Sequence, residues 1–367
     1  MTVVIAGGGT GGHTSPGLAV AAVLVGRGVA CAWIGSRHGI EARRVPAAGL
    51  PYFAIPTGKL RRYWAWQNVA DLAVNVPAAL VSAVRLLRRL RPRVVFGTGG
   101  FVALPVVVAG ALLRLPIVVH EQTAVAGLAN RIASRFASRI AVTWEASARD
   151  FPAARVVTTG NPLRAELRGG SRADAVSRFG LDPVLPLVYV TGGAQGAHRI
   201  NRAFGAIVDQ VLAHAQVIHQ CGDNRETRDR EWLEARRAGL PPALAARYHV
   251  RPYLDVELPG VFAAASLVIG RAGAGTVNEC CQLGLPALYI PLPGTSGDEQ
   301  TANARLVERA GGSAVLPQAS LTPEALLGGV LALLAGPGRL KEMGERARSL
   351  AIPDAAERLA DVLTELI

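Results

Sequence analysis

His13 is the side chain best placed to do chemistry, because it follows the glycine-dense segment 7–12 and imidazole exchanges a proton near neutral pH. Residues 3–6, before the glycines, are typical of a buried strand, and the apolar run 17–25 is typical of a helix. Glycines let a backbone approach an anion closely, and a helix start offers free N–H groups and a partial positive charge. The pattern predicts a phosphate-handling turn in which His13 is a general base or a diphosphate contact. A histidine that only caps the helix is the alternative.

Two known motifs fit this turn incompletely. Gly7, Gly9 and Gly12 match the dinucleotide fingerprint G-x-G-x-x-G, but the acidic residue expected about 20 residues later is absent at the end of the second strand. Arg37 stands there instead and could accept a 2′-phosphate, which leaves an NADP-dependent oxidoreductase as a further interpretation. A P-loop needs lysine where His13 stands, so the sequence disfavours ATP hydrolysis.

Short apolar strands alternate with helices through both halves of the chain, and each half opens with a strand and a glycine-rich turn. This alternation predicts an α/β fold with two Rossmann-like, doubly wound domains facing across a cleft, in which ligands bind at the carboxyl ends of the strands. We place an N-terminal domain at 1–163 and a C-terminal domain at 164–340. The helices of 341–367 are expected to pack back on the N-terminal domain.

Polar residues and glycines end further predicted strands of the first half. Gly99 and Gly100 follow one strand, and His120 and Glu121 end another, so both pairs fall at the ligand-binding edge. We expect Gly9, Gly99, Gly100 and His120 to contact a ligand or its phosphates. Glu121 is the second candidate for the catalytic base, and a buried His120–Glu121 pair that orders the loop is the alternative.

A glycine turn at 270–276 opens a helix that carries Glu279 in the second half. The start of this helix suits a pyrophosphate, and a carboxylate about one turn further on can accept hydrogen bonds from the two hydroxyls of a ribose. A glutamate that merely complements the helix dipole is the alternative.

The excess positive charge lies in the first half of the chain. Residues 1–163 hold 18 Lys and Arg against 5 Asp and Glu, whereas residues 164–367 hold 21 against 22. This asymmetry indicates an anionic partner, either a membrane surface, a nucleic acid or a phosphorylated substrate. Since no nucleic-acid-binding motif accompanies the charge, we expect no nucleic-acid partner.

The segment 59–91 carries aromatic and apolar residues flanked by arginines, which suits the interface of an anionic membrane. An ordinary core helix with a basic end is the alternative. With no apolar run long enough to span a bilayer and no secretion signal, the sequence predicts a cytosolic protein with reduced cysteines. The predicted membrane patch comprises Trp64, Trp66, Leu80, Arg85, Arg88 and Arg89.

Ten short motifs follow one another in a fixed order along nearly the whole chain. The sequence thereby resembles the MurG family, which transfers N-acetylglucosamine from UDP-GlcNAc to the undecaprenyl-linked muramyl-pentapeptide of peptidoglycan synthesis. The motifs are GGTGGH (8–13), GTGGF (97–101), HEQ (120–122), AGLANR (126–131), GNPLR (160–164), GGAQGA (192–197), RAGAGTVNE (271–279), GLPALYIP (284–291), DEQTANA (298–304) and IPDAAER (352–358).

The resemblance implies a GT-B fold and an inverting transfer that needs no metal ion or cofactor, which agrees with the absence of an Asp-x-Asp triplet. It also implies a peripheral protein on the cytoplasmic face of the bacterial membrane, with cell-wall or division proteins as partners. By the same resemblance, domain 1–163 is the acceptor and membrane side, domain 164–340 binds the donor, and the ligand expected at Gly9, Gly99, Gly100 and His120 is the acceptor. Glu279 would bind the ribose and Leu254 would lie beside the uracil. The donor-binding residues so implied are Thr10, Gly11, Gly12, Thr123, Arg164, Ala194, Leu254, Ala274, Gly275, Thr276, Val277, Asn278, Glu279 and Gln300.

Two positions depart from the family pattern, since Thr123 stands where asparagine is usual and Ala194 where serine is usual. Threonine can keep one hydrogen bond, whereas alanine cannot replace a hydroxyl, and the lost contact is worth about 1 kcal/mol. Donor affinity or sugar choice can therefore differ. Another GT-B enzyme, such as a glycolipid transferase or a UDP-sugar epimerase, is the nearest alternative, and a non-catalytic binding protein is a more distant one.

Overall fold

The structure, a computed structural model, describes residues 3–56 and 75–367, and the chain divides into two compact units. The first unit comprises residues 1–164 together with 352–367, and the second comprises 165–351. The chain therefore leaves the first unit once and returns to it with its last residues.

A parallel sheet forms the centre of the first unit, in which seven strands within the described ranges run in the order β3-β2-β1-β4-β5-β6-β7. The strands read as nearly continuous apolar runs because helices cover both faces of such a sheet. They are β1 (Val3–Ala6), β2 (Cys31–Ser36), β3 (Tyr52–Ile55), β4 (Val94–Gly97), β5 (Ile117–Glu121), β6 (Arg139–Val142) and β7 (Val156–Thr158).

Helices lie between these strands, and α1 begins earlier than the apolar run suggests. Its first residue is Gly11, because Thr10 has an extended backbone and its carbonyl oxygen accepts the N–H of Thr14 at 3.2 Å. His13 therefore lies in the first turn of α1 and not in the turn before it. The helices are α1 (Gly11–Gly26), α2 (Glu41–Ala47), α3 (Val76–Leu90), α4 (Ala103–Leu112), α5 (Leu128–Ala133) and α6 (Glu145–Ala148).

The second unit repeats the design with a parallel sheet of six strands in the order β10-β9-β8-β11-β12-β13, counted within the described residues. Both sheets are doubly wound, so the predicted pair of Rossmann-like domains is confirmed. The strands are β8 (Leu187–Thr191), β9 (Gln216–Gln220), β10 (Tyr248–Arg251), β11 (Ala265–Gly270), β12 (Ala287–Tyr289) and β13 (Ser313–Val315). The helices are α7 (Ala165–Arg168), α8 (Arg172–Phe179), α9 (His198–Leu212), α10 (Asp229–Ala238), α11 (Pro242–Ala245), α12 (Leu258–Ala264), α13 (Ala274–Leu283), α14 (Glu299–Arg309), α15 (Pro323–Leu334) and α16 (Pro337–Ser349).

The last helix, α17 (Ala355–Thr364), belongs to the first unit. Its buried residues Leu359 and Leu363 share a core cluster with Val20 and Leu24 of α1. The prediction that all of 341–367 packs back on the N-terminal domain is wrong, because α16 packs against α13 inside the second unit. Only residues 352–367 return to the first unit.

Candidate active site

The first candidate site lies at the carboxyl edge of the first sheet. Strands β1, β4 and β5 are neighbours in that sheet. Ala6 pairs with Gly97, so β1 and β4 end at one level, and β5 extends two residues beyond Val119, the partner of Gly97. This places His13, the Gly99–Gly100 turn and the end of β5 together, as the positions of the motifs after their strands indicated. The described residues contain no cluster of His, Cys, Asp or Glu suited to a metal ion.

The His13 ring is half-buried and is held through one of its two nitrogens. Nδ1 lies 2.8 Å from Oε1 of Gln122 and 3.2 Å from the carbonyl oxygen of Thr98. A Cβ atom on Gly99 would lie 3.0 Å from Nδ1, and the φ of Gly99 is +96°, so only glycine suits this position beneath the ring. Within the described residues Nε2 has no hydrogen-bond partner, which leaves it for a substrate.

His120 is completely buried, and this contradicts its predicted contact with the acceptor or its phosphates. Its Nε2 lies 3.0 Å from the carbonyl oxygen of Gly160, and burial lowers the pKa of His120 to about 4. A neutral, enclosed imidazole offers no positive charge to an anion. His120 instead supports neighbouring residues of the site.

Glu121 is also engaged within its own loop, so the contacts support the loop-ordering alternative over a role as base. One carboxylate oxygen accepts the backbone N–H of Thr123 at 2.9 Å and shares the hydroxyl proton of Thr123 with the carbonyl oxygen of Val125. The other accepts the N–H of Gly127 at 3.0 Å and Nδ2 of Asn130 at 2.9 Å. The carboxylate is 3% exposed, and its oxygens already accept four hydrogen bonds. The hydroxyl of Thr123 is likewise used inside the loop rather than offered to a donor sugar.

The glycine turn after β1 is held by Glu41, a residue to which the sequence gave no role. The Glu41 carboxylate is fully buried, and it accepts the N–H of Gly9 at 2.9 Å and both the N–H and the hydroxyl of Ser36. A Cβ on Gly8 would lie 2.2 Å from the carboxylate, so glycine is required where the turn crosses it. The amide of Gly9 is therefore not free for a phosphate, contrary to prediction. A carboxylate behind the turn also disfavours a dinucleotide diphosphate there.

The second candidate site lies at the carboxyl edge of the second sheet, where helix α13 begins. Gly273 has an extended backbone, no side chain caps the helix, and Cβ atoms built on Gly273 or Gly275 would meet nothing within 4 Å. The space beside both glycines is thus open at a helix start, where the first N–H groups lack partners within the helix, as an anion site requires. The partly exposed residues of this turn are Ala274, Gly275, Thr276 and Glu279.

Val277 and Asn278 are buried, at 1% and 4% exposure, so their side chains belong to the core and not to a donor site. Gln300 accepts the N–H of Leu292 through Oε1 at 3.0 Å, so its NH₂ group points away from Leu292. That NH₂ group has no hydrogen-bond partner in the described part of the chain. Ala194 is exposed on the turn after β8, and Arg164 is half-buried at the end of the first unit.

Gln220 joins three segments of this second edge, and the sequence did not single it out. Its Oε1 accepts the hydroxyl of Tyr189 at 3.1 Å and the N–H of Leu254 at 3.2 Å. Its Nε2 donates to the carbonyl oxygen of Gly193 at 3.1 Å. Leu254 as a whole residue is 1% exposed and its N–H is already bound by Gln220, which contradicts its predicted place beside the uracil. The only feature of the sequence that could have identified Gln220 is its position at the end of a buried strand, β9.

Arg271, which follows β11, is a partly buried cation without a carboxylate partner among the described residues. Its guanidinium donates to the carbonyl oxygen of Ile290 at 2.9 Å and to Oε1 of Gln318 at 2.6 Å. Burial, and then the charge of Arg199, lower the pKa of Arg271 to about 10. An anion bound nearby would relieve both effects.

The predicted membrane patch is only partly described. Trp64 and Trp66 lie outside the described residues, and Leu80 packs against the core, which contradicts its assignment to the patch. The arginines of α3 are exposed, together with Val76 and Val81 at 42% and 47%. No helix in the described ranges combines the length and the apolar character needed to cross a membrane. The exposed arginines are Arg85, Arg88 and Arg89.

Comparison with known proteins defines the class of this fold and site. The glycosyltransferase family 28 N-terminal domain matches residues 3–142, and the glycosyltransferase family 28 C-terminal domain matches residues 187–359. The crystal structure of Acinetobacter baumannii MurG has a TM-score of 0.76 at 28% identity and covers 99% of each chain. Neisseria meningitidis UDP-GlcNAc 2-epimerase bound to UDP-GlcNAc has a TM-score of 0.70 at 12% identity, over the full length of both chains, and so shares the fold alone. The class is therefore a two-domain glycosyltransferase.

The whole chain is 42% identical to a protein of Nocardioides sp. (strain ATCC BAA-499 / JS614), of which it covers 98%. That relative is named UDP-N-acetylglucosamine–N-acetylmuramyl-(pentapeptide) pyrophosphoryl-undecaprenol N-acetylglucosamine transferase. The chain belongs to glycosyltransferase family 28 and, within it, to the MurG family that its ordered motifs resemble.

Proposed function

We propose that this protein transfers N-acetylglucosamine from UDP-GlcNAc to the 4-hydroxyl of undecaprenyl-pyrophosphoryl-MurNAc-pentapeptide, with inversion at the anomeric carbon. Full-length similarity to a transferase of that name supports the substrates. The observation that carries the mechanism is the His13 ring, which is held through Nδ1 and has Nε2 left for a substrate.

In the proposed step, Nε2 of His13 takes the proton of the acceptor hydroxyl while its oxygen attacks the anomeric carbon. The bond from that carbon to the β-phosphate oxygen breaks, and UDP leaves with the electron pair. The free N–H groups at the start of α13 and the nearby cation of Arg271 stabilise the charge that develops on the diphosphate. Each interaction grows as the leaving group becomes more negative, so it favours the transition state.

Donor recognition in this proposal rests chiefly on the second unit. The carboxylate of Glu279 accepts hydrogen bonds from the ribose hydroxyls, and the NH₂ group of Gln300 donates to an acceptor on the sugar nucleotide. Further proposed donor contacts are Thr10, Gly11, Gly12, Arg164, Ala194, Ala274, Gly275 and Thr276.

The first unit binds an anionic membrane surface in this proposal, at the cytoplasmic face where a lipid-linked acceptor can be reached. Its support is the excess of positive charge in residues 1–163 and the exposed cations on α3 beside Val76 and Val81. Arginines at the headgroup level and apolar side chains below them are the usual components of an interfacial surface.

The test is transfer of labelled sugar to a short-chain lipid-linked muramyl-pentapeptide, with UDP-GlcNAc, UDP-GalNAc and UDP-glucose compared. We expect selective transfer of N-acetylglucosamine, and His13→Ala should lower kcat by roughly 10²- to 10⁴-fold with UDP binding retained. His38→Ala removes an exposed histidine of the same unit and is the matched control. Transfer of another sugar would direct attention to Ala194 and Thr123. Epimerisation of UDP-GlcNAc without an acceptor would overturn the proposal.

A further inference from the structure

We propose that Gln122 is a positioning residue that sets the imidazole tautomer of His13. The inference rests on the proposed function, because it explains how His13 would present a lone pair to the acceptor hydroxyl. Gln122 is 2% exposed, so it acts on the reaction only through the ring that it holds.

The orientation of the Gln122 amide follows from its neighbours. Nε2 of Gln122 lies 2.5 Å from the carbonyl oxygen of Thr98. A carbonyl oxygen can only accept a hydrogen bond, so the NH₂ group of Gln122 must face Thr98 and its Oε1 must face His13. The reversed amide would bring two oxygens together at that distance.

The tautomer of His13 follows from the amide. Nδ1 faces Oε1 of Gln122 at 2.8 Å and the carbonyl oxygen of Thr98 at 3.2 Å, and neither atom can donate. Nδ1 must therefore carry the proton, and in the neutral ring Nε2 holds the lone pair. The nitrogen that has no hydrogen-bond partner among the described residues is thus the nitrogen that can accept a proton.

His120 supports the same arrangement from behind. Its Nε2 must be protonated because it faces the carbonyl oxygen of Gly160, and burial keeps the ring neutral by lowering the pKa of His120 to about 4. Its Nδ1 is therefore an acceptor, 3.5 Å from Nε2 of Gln122. The titratable groups around His13 are His120 and Glu121 at the end of β5 and Glu41 behind the glycine turn. The carboxylate of Glu121 is bound within its own loop, and that of Glu41 is bound by Gly9 and Ser36.

The first experiment is NMR of the full-length protein labelled with ¹⁵N-histidine, with His13 assigned by comparison with His13→Ala. We expect a protonated Nδ1 and an unprotonated Nε2 in the neutral ring. In Gln122→Met the strong acceptor is gone, and we expect the other tautomer to appear and kcat to fall at least about tenfold. A wild-type ring with protonated Nε2 would overturn the inference, and so would a Gln122→Met ring with an unchanged tautomer.

The second experiment is the pH dependence of kcat in Gln122→Glu. A carboxylate keeps an acceptor against Nδ1 and adds a negative charge that favours the imidazolium, so the acidic limb should move to higher pH by about one unit. A purely structural role would lower kcat without moving the limb. Gln216→Glu makes the same change at another buried glutamine, in the second unit, and should leave the limb in place. An unmoved limb in folded Gln122→Glu would overturn the inference.

These readouts separate the inference from the proposed function. If His13→Ala keeps full transfer activity, then His13 is not the base, and the ¹⁵N spectra still decide whether Gln122 sets its tautomer. UDP binding to each variant checks that the second unit is intact.

Discussion

The carboxylate of Glu41 accepts the backbone N–H of Gly9 at 2.9 Å, across 32 positions of the chain. The same carboxylate binds Ser36 at the end of β2, and the hydroxyl of Tyr52 donates to the carbonyl oxygen of Ser36. One buried acid thus connects β2, β3 and the glycine turn that leads to His13. The geometry of the turn depends on this acid as much as on its glycines.

We expect Glu41→Ala to lower the free energy of unfolding by about 2–4 kcal/mol, because buried N–H and hydroxyl groups of Gly9 and Ser36 would lose their acceptor. Transfer activity should fall as well, since His13 follows the turn. Urea unfolding measures the first effect and the transfer assay the second. Glu145→Ala, at an exposed position of the same unit, is the control. Wild-type stability of Glu41→Ala would contradict the prediction.

Glu279→Ala should weaken UDP binding by about tenfold, because hydrogen bonds to a charged acceptor contribute roughly 1.5–3 kcal/mol and part of that is recovered by water. Calorimetric titration with UDP measures the effect. A 2′-deoxy analogue of UDP lacks one of the hydroxyls that Glu279 would bind. The difference in affinity between the variant and the wild type should therefore be smaller for this analogue than for UDP. Glu345→Ala changes an exposed carboxylate of the second unit and should bind UDP normally. An unchanged affinity in Glu279→Ala would remove Glu279 from the ribose site.

Stability should fall as the pH is lowered, because His120 is buried in its neutral form. Its pKa is about 4 in the folded protein and about 6.5 in an unfolded chain, so the unfolded state binds more protons between these values. The stabilisation is complete above the unfolded value, and about 2 kcal/mol of it is lost by pH 5. Urea unfolding at pH 7 and pH 5 gives the slope. His120→Gln cannot titrate, so a slope as steep as that of the wild type would show that other groups cause it.

Replacing Arg85, Arg88 and Arg89 together by glutamate should strongly reduce binding to vesicles that contain phosphatidylglycerol. Each cation near such a surface contributes about 1 kcal/mol, and the replacement also adds repulsion. Cosedimentation at increasing salt concentration measures the loss. Arg346→Glu, at an exposed arginine of the second unit, is the control, and transfer to a water-soluble acceptor should remain. Equal binding of both variants would place the membrane surface elsewhere.

The sequence was most informative where a pattern is local. Apolar runs and glycine turns identify the strands and the carboxyl edge of each sheet, with His13 and the Gly99–Gly100 turn at the first edge and the start of α13 at the second. The partners of buried polar groups are set by tertiary contacts that no spacing reveals. Glu121 and Glu41 show this, since one was predicted to be catalytic and the other was not noticed, and both are fully engaged acceptors. The start of α1 was misplaced because the apolar run begins only at residue 17, whereas the helix begins at Gly11, directly after the extended Thr10.

Because helix α17 belongs to the first unit, the core of that unit can be completed only when the last residues have been synthesised. Its residues Leu359 and Leu363 cover Val20 and Leu24 of α1, the same helix whose first turn carries His13. While the ribosome is still adding residues 165–351, this face of α1 has no cover. The first unit, although made first, completes its core only after the second unit has been translated. A prematurely terminated chain would keep the donor-binding residues of the second unit but lack part of the core that packs against α1, the helix of His13. The exposed apolar face of α1 would make such a chain a substrate for quality-control proteases.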